Sequence, residues 1–181
     1  MLQLAITTGL RVSELTSLTP ADVHLGTGPH VTCTGKGRKR RISPLDQQTV
    51  ATTRRYLSAL PAGTPFLFPT RAGARMSTDA VARRLALHVT AAAASCPTLA
   101  TKNVTPHTLR HTAAMRLLHA GVDVTVIALW LGHQSIETTQ IYLHADMSIK
   151  ERALARTAPT GAEPGRYQPD SDELLTFLQS L

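Results

Sequence analysis

At 181 residues, with 43% hydrophobic content and a formal net charge of +7, the sequence can bury one real core and excludes wholesale disorder. Cys33 and Cys96 stand far apart without CxxC spacing, which argues against a disulfide scaffold or a zinc site and fits a reducing cytoplasm. No run of about 18 apolar residues accumulates, and MLQLAITTGL is short and lacks a basic leader, so neither a membrane span nor a signal peptide is expected.

Residues 1 to 8 read as a helix broken by Gly9, and Arg11 to Leu18 as a second short helix ending before Pro20. From Asp22 the pattern changes to β-prone pieces, Val23 to Leu25 and His30 to Thr34. A Gly-Lys-Gly-Arg turn and a return strand near Arg40 to Ser43 follow, giving a small antiparallel sheet. Asp46 to Leu60 reads as a helix stopped by Pro61, and Ala62 to Arg75, with Gly63, Pro65, Pro69 and Gly73, as an irregular crossing loop. Ser77 or Thr78 can cap the next helix, where Val81, Leu85, Val89 and Ala92 recur at helical spacing and leave Arg83 and Arg84 off the core face. That helix is expected to end near Ser95 and Pro97.

Thr105 before Pro106 is a strong helix start, because a hydroxyl caps open N–H groups and proline tolerates the first helical position. Leu109, Ala113 and Leu117 are its expected buried stripe. Gly121 ends this helix, and Asp123 caps another whose core face is Val124, Ile127, Ala128 and Leu131. Ser135 opens a short helix carrying Tyr142, and Ser148 to Thr157 reads as one more. Residues 1–158 are thus expected to form one domain, residues 159–172 a Pro- and Gly-containing linker, and residues 173–181 an amphipathic segment with Leu174, Leu175, Phe177, Leu178 and Leu181.

The charge is divided. Residues 1–158 hold 18 Lys and Arg against 8 Asp and Glu, whereas residues 159–181 hold 1 against 4. Five of the six positions from Lys36 to Arg41 are basic, a run that more often meets nucleic acid than membrane when no amphipathic helix carries it. Arg38, Lys39, Arg40 and Arg41, with Arg83, Arg84 and Lys102, are therefore the candidates for contacts to a DNA backbone.

Chemistry concentrates elsewhere. His107 and Arg110 lie three apart near a helix N-terminus, an arrangement suited to a phosphate, although a capped helix with a packed histidine and an exposed arginine explains the same pair. His107 and His111 have the i, i+4 spacing of a zinc helix, but Thr108 stands where the catalytic Glu would be, so no metal is expected and His111 is read as structural. His133 and Tyr142 follow a helix end, and Arg11 lies far upstream. Two guanidinium forks, two imidazoles and a phenol, without a carboxylate cluster, read as metal-free phosphoryl transfer with the tyrosine as nucleophile and no cofactor. Lys36, between Gly35 and Gly37 in the hairpin turn, can protonate a leaving alkoxide or simply grip phosphate. A P-loop is excluded, because Gly37 follows Gly35-Lys36 and His30 occupies the first glycine position.

The strings TGLRVSEL, TGKGRKRRISPL, HTLRHTAAMRLL and LGHQSIETTQIYLH resemble, in order and spacing, the motifs of tyrosine recombinases of the phage-integrase type, over residues 1 to about 150. The resemblance implies an α+β, mainly α-helical catalytic domain with a small antiparallel sheet near residues 22–44. It implies Tyr142 as the nucleophile of a 3′-phosphotyrosyl link and Arg11 and Arg110 on the non-bridging phosphate oxygens. Lys36 would be general acid, His107 would assist proton transfer, His133 would bond the phosphate, and Glu14 would orient Arg11. The implied partners are double-stranded DNA and further copies in a tetrameric synapse, and the segment 173–181 would dock on a neighbouring protomer. Only ten residues precede Arg11, so the helical DNA-clamping domain usual in the family is expected to be absent and supplied by a separate domain or partner recombinase. A type IB topoisomerase-like enzyme and a non-catalytic DNA-binding protein are the competing readings.

Overall fold

The computed structural model describes residues 1–35 and 40–132, all within the compact unit Met1–Ala145. Lys36, Arg38, Lys39, His133 and Tyr142 lie outside the described residues. So do the expected helices after Ser135, the linker 159–172 and the segment 173–181.

The chain begins with α1 (Leu2–Thr8) and α2 (Val12–Ser17). Gly9 ends α1 at φ +64°, a left-handed conformation that glycine adopts without the clash of a Cβ. A 3-10 turn, Pro20–Asp22, leads into β1 (Val23–His24), β2 (His30–Thr34) and β3 (Arg40–Pro44). These form one antiparallel sheet in the order β1-β2-β3, with Val31 opposite Ser43 and Cys33 opposite Arg41. Cross-strand partners share a face, so Arg41 and Ser43 point the same way as the buried Val31 and Cys33, while Arg40 and Ile42 point outward.

Among the described residues four further α-helices follow: α3 (Gln47–Ser58), α4 (Thr78–Ala93), α5 (Pro106–His119) and α6 (Val124–Leu131). Their N-termini are capped by Asp46, Ser77, Thr105 and Asp123, the last three as the sequence predicts, each side chain accepting a backbone N–H two or three residues on. The loop between α3 and α4 is irregular but pinned. The Leu67 N–H donates to the Leu18 carbonyl, the Tyr56 hydroxyl donates to the Leu67 carbonyl, and Arg75 donates to the Ser13 carbonyl and the Thr16 hydroxyl. The principal core gathers Leu4, Ala5, Leu10, Leu15 and Leu18 with Val31, Cys33, Leu45, Leu67 and Phe68. Among the described residues the architecture is α+β and mainly helical, with one small sheet.

Three helix faces differ from expectation; on α6 Ile127, Ala128 and Leu131 are buried but Val124 is only half-buried. On α4, Val81 and Leu85 are buried, but Val89 is half-buried and Ala92 exposed. On α5 the buried face is Arg110, Ala113, Ala114 and Leu118, with Leu109 and Leu117 only half-buried. Two alanines let α1 approach closely: a Cβ placed on Gly9 would lie 3.2 Å from the Ala113 Cβ and 2.5 Å from the Leu131 Cδ2. The face turns to include Arg110 because its fork has carbonyl partners in the interior.

Candidate active site

Arg11 stands at the junction of α1 and α2. Its backbone N–H donates to Glu14 Oε2 at 2.7 Å, its Nη1 donates to Glu14 Oε1 at 3.1 Å, and its Nη2 donates to the Gly132 carbonyl at 3.0 Å. Glu14 thus ties down both the main chain and the side chain of the residue one turn before it. Arg110 reaches the same corner from α5. Its Nη1 donates to the Gly9 carbonyl at 2.6 Å and its Nη2 to the Leu131 carbonyl at 2.8 Å.

These carbonyls are the ones a helix cannot satisfy internally. Gly9 closes α1, while Leu131 and Gly132 close α6, with Gly132 left-handed at φ +66°. Helix C-terminal carbonyls carry partial negative charge and attract cations, so the two guanidinium groups are held by main chain at two helix ends. Trp130 reinforces the junction by donating its indole N–H to the Thr8 carbonyl at 3.1 Å. Arg110 is 5% exposed, whereas the Arg11 side chain is 38% exposed. The first is anchored inside and the second faces outward.

Glu14 has a second cation. Arg41 Nη1 donates to Glu14 Oε1 and Arg41 Nη2 to Glu14 Oε2, both at 2.8 Å, a bidentate pair between side chains that are 12% and 5% exposed. Burial pushes the Glu14 carboxyl up, but the hydrogen bonds from Arg41 and from the Arg11 amide and guanidinium outweigh it and hold the group below the ordinary carboxylate value. Across the strand pair, burial pushes the Cys33 thiol up to about 11, with Glu14 and Asp22 adding to the shift and the Arg41 and Arg11 charges opposing it.

The expected site residues therefore separate into groups. Arg11, Glu14 and Arg110 come together. His107 is exposed in the first turn of α5, whose next turn sends Arg110 inward. Arg40, Arg83, Arg84 and Lys102 are exposed, as DNA-backbone contacts would need to be. Arg41 departs from its expected place on the surface, since the two-residue period of β3 turns it under the sheet onto Glu14. Gly9, Arg41, Trp130 and Gly132 build the site and were not singled out as its members from sequence. The left-handed glycines after each apolar run were the available signal for two of them. Among the described residues no group of three or more His, Cys, Asp or Glu could hold a metal ion, and no helix is long and apolar enough to cross a membrane.

The sequence model of the phage integrase family matches residues 1–148. The chain belongs to the phage integrase family. Among curated family members it is 50% identical, over 99% of its own length and 54% of the relative's, to the putative integrase/recombinase y4rC of Sinorhizobium fredii. It is 37% identical, over 91% of its length and 53% of the relative's, to the tyrosine recombinase XerC of Pelobacter propionicus. The chain thus spans about half the length of these curated relatives. Its fold resembles the crystal structure of the XerA recombinase with a TM-score of 0.70 at 31% identity, covering 91% of this chain and 57% of that one. The described part of the chain is accordingly a phage-integrase catalytic fold.

Proposed function

We propose that this chain is the catalytic domain of a site-specific DNA recombinase or integrase, cleaving and rejoining double-stranded DNA through a 3′-phosphotyrosyl intermediate on Tyr142. The observation that carries the reading is the convergence of Arg11 and Arg110, from separate helices, on the adjacent Leu131 and Gly132 carbonyls, immediately before the sequence His133. Two preorganised forks there suit the equatorial oxygens of a pentavalent phosphate, the position where electrostatic stabilisation contributes most to such reactions.

In the proposed reaction the Tyr142 oxygen attacks the scissile phosphorus and the bond to the 5′ oxygen breaks. Lys36 gives that oxygen its proton, His107 assists proton transfer and His133 bonds the phosphate. The phosphotyrosyl link keeps the bond energy, so a 5′-hydroxyl from another strand can reverse the step without nucleotide or metal. Arg38, Lys39, Arg40, Arg83, Arg84 and Lys102 would grip the backbone. The assembly would be a homo-oligomer of four on paired sites, acting in the cytoplasm with residues 173–181 docked on a neighbouring copy. Deleting residues 171–181 should then weaken DNA-dependent assembly; unchanged assembly would remove the docking.

The deciding experiment uses a nicked duplex whose cleaved fragment diffuses away. The chain should form a covalent adduct mapped by peptide mass to Tyr142, absent from Tyr142→Phe. DNA binding without an adduct, or an adduct surviving in Tyr142→Phe, would refute the assignment.

A further inference from the structure

Arg41 has no part in the roles just assigned, yet it occupies the centre of the charge cluster. Its guanidinium is bidentate on Glu14 and packs against the α6 cap so tightly that a Cβ on Gly132 would lie 2.8 Å from its Nη1 and 3.3 Å from its Cδ and Cζ. Glu14 in turn holds the Arg11 amide and guanidinium. Among the described residues the buried Arg41 Nε has no hydrogen-bond partner, an arrangement that leaves a donor uncompensated in order to seat the rest of the group.

We propose that Arg41 is a positioning residue: from strand β3 it fixes Glu14, through Glu14 it sets the Arg11 fork, and against Gly132 it fixes the corner that receives both catalytic arginines. Three chain segments meet in this one side chain. They are β3, which follows the hairpin sequence containing Lys36, the α2 start with Arg11 and Glu14, and the α6 end before His133. A lysine cannot replace it fully, because a single ammonium does not span both carboxylate oxygens in a planar fork. Without Arg41, Glu14 keeps one cation, draws the Arg11 fork toward itself and away from the Gly132 carbonyl, and the phosphate-facing geometry shifts. The inference rests on the recombinase reading for its kinetic test, and a second readout separates the two.

The test compares the full chain with Arg41→Lys, Arg41→Met and Glu14→Gln on the nicked duplex, measuring DNA affinity and the adduct-forming rate at saturating DNA. Misplacement of about 1 Å in a catalytic constellation costs about 100-fold, so Arg41→Met should lose between about 10- and 100-fold in saturated rate with affinity changed less than about 2-fold. Arg41→Lys should recover part of the rate, and Arg41→Met should add little in the Glu14→Gln background because the two residues act as one unit. The ordinary surface role predicts the opposite: weaker binding, a salt slope reduced by about 1 and an unchanged saturated rate. That result would overturn the proposal, as would a loss in the Arg41→Met, Glu14→Gln double variant equal to the product of the two single losses. If the unmodified chain makes no adduct, the recombinase reading fails by itself. The positioning claim is then judged from the Arg11 side-chain NMR resonances, which should move in the folded Arg41→Lys variant and refute the claim if they stay fixed.

Discussion

Replacing Gly9 by alanine probes the contact on which the site is built. Two costs arise, and the structure separates them. At φ +64° an L-residue carries a left-handed penalty of about 1–2 kcal/mol. The new Cβ would also lie 2.5 Å from Leu131 Cδ2 and 3.2 Å from Ala113 Cβ, and forcing extra volume into a packed core costs about 1–3 kcal/mol. Gly9→Ala should therefore destabilise by about 2–5 kcal/mol, lowering the melting temperature by several degrees or more at about 2–4 °C per kcal/mol for a chain of this size. Gly63 supplies the control, since it sits at φ +77° with no atom within 4 Å of a built Cβ. Gly63→Ala should show the backbone term alone, about 1–2 kcal/mol. Urea unfolding of both variants followed by circular dichroism measures the difference. If the two lose equal stability, the close approach of α1 to α6 is not as described, and the carbonyl that holds Arg110 would need another explanation.

Other outcomes follow from the same geometry. The folded-state carboxyl of Glu14 titrates below its unfolded value of about 4.3, so the stability it contributes is complete above that value and is lost as pH falls through the folded pKa. Glu14→Gln should flatten this acid limb of the stability curve, and an unchanged limb would contradict the buried pairing. Cys33 is buried with its thiol raised to about 11, while Cys96 is exposed. One thiol should react with Ellman's reagent at pH 8 in the native protein and two after denaturation, and fast reaction of both in the native state would refute the placement. Asp46 accepts the Thr49 N–H at 2.7 Å. Asp46→Ala should cost about 1 kcal/mol in urea unfolding, and a loss below about 0.3 kcal/mol would show that the cap contributes nothing.

Much of this was written locally in the chain. The caps at Asp46, Ser77, Thr105 and Asp123, the strand His30–Thr34 and the sheet between residues 22 and 44 follow from side chains acting on backbone a few residues away. Glu14 beside Arg11 belongs to the same class, being one turn away and implied by the family pattern. Arg41 reads from sequence as one more cation in a basic run, and its inward placement is not legible there. Only the pairing of β2 with β3 decides that Arg40 faces out while Arg41 turns onto Glu14, 27 residues earlier. The inward turn of Arg110 depends on the ends of α1 and α6, 101 and 21 residues away, and no helical periodicity encodes that those ends meet beside it.

The anchoring of Arg110 uses carbonyl oxygens, which every amino acid possesses. Position 131 can then drift among apolar side chains of similar bulk without loosening the cation, provided the chain path persists, whereas position 9 has no such latitude because its missing side chain is the space that Leu131 fills. Mutational tolerance around this arginine should be lopsided: open to apolar side chains that keep the volume of Leu131 at one partner, and closed at the other, which must stay empty.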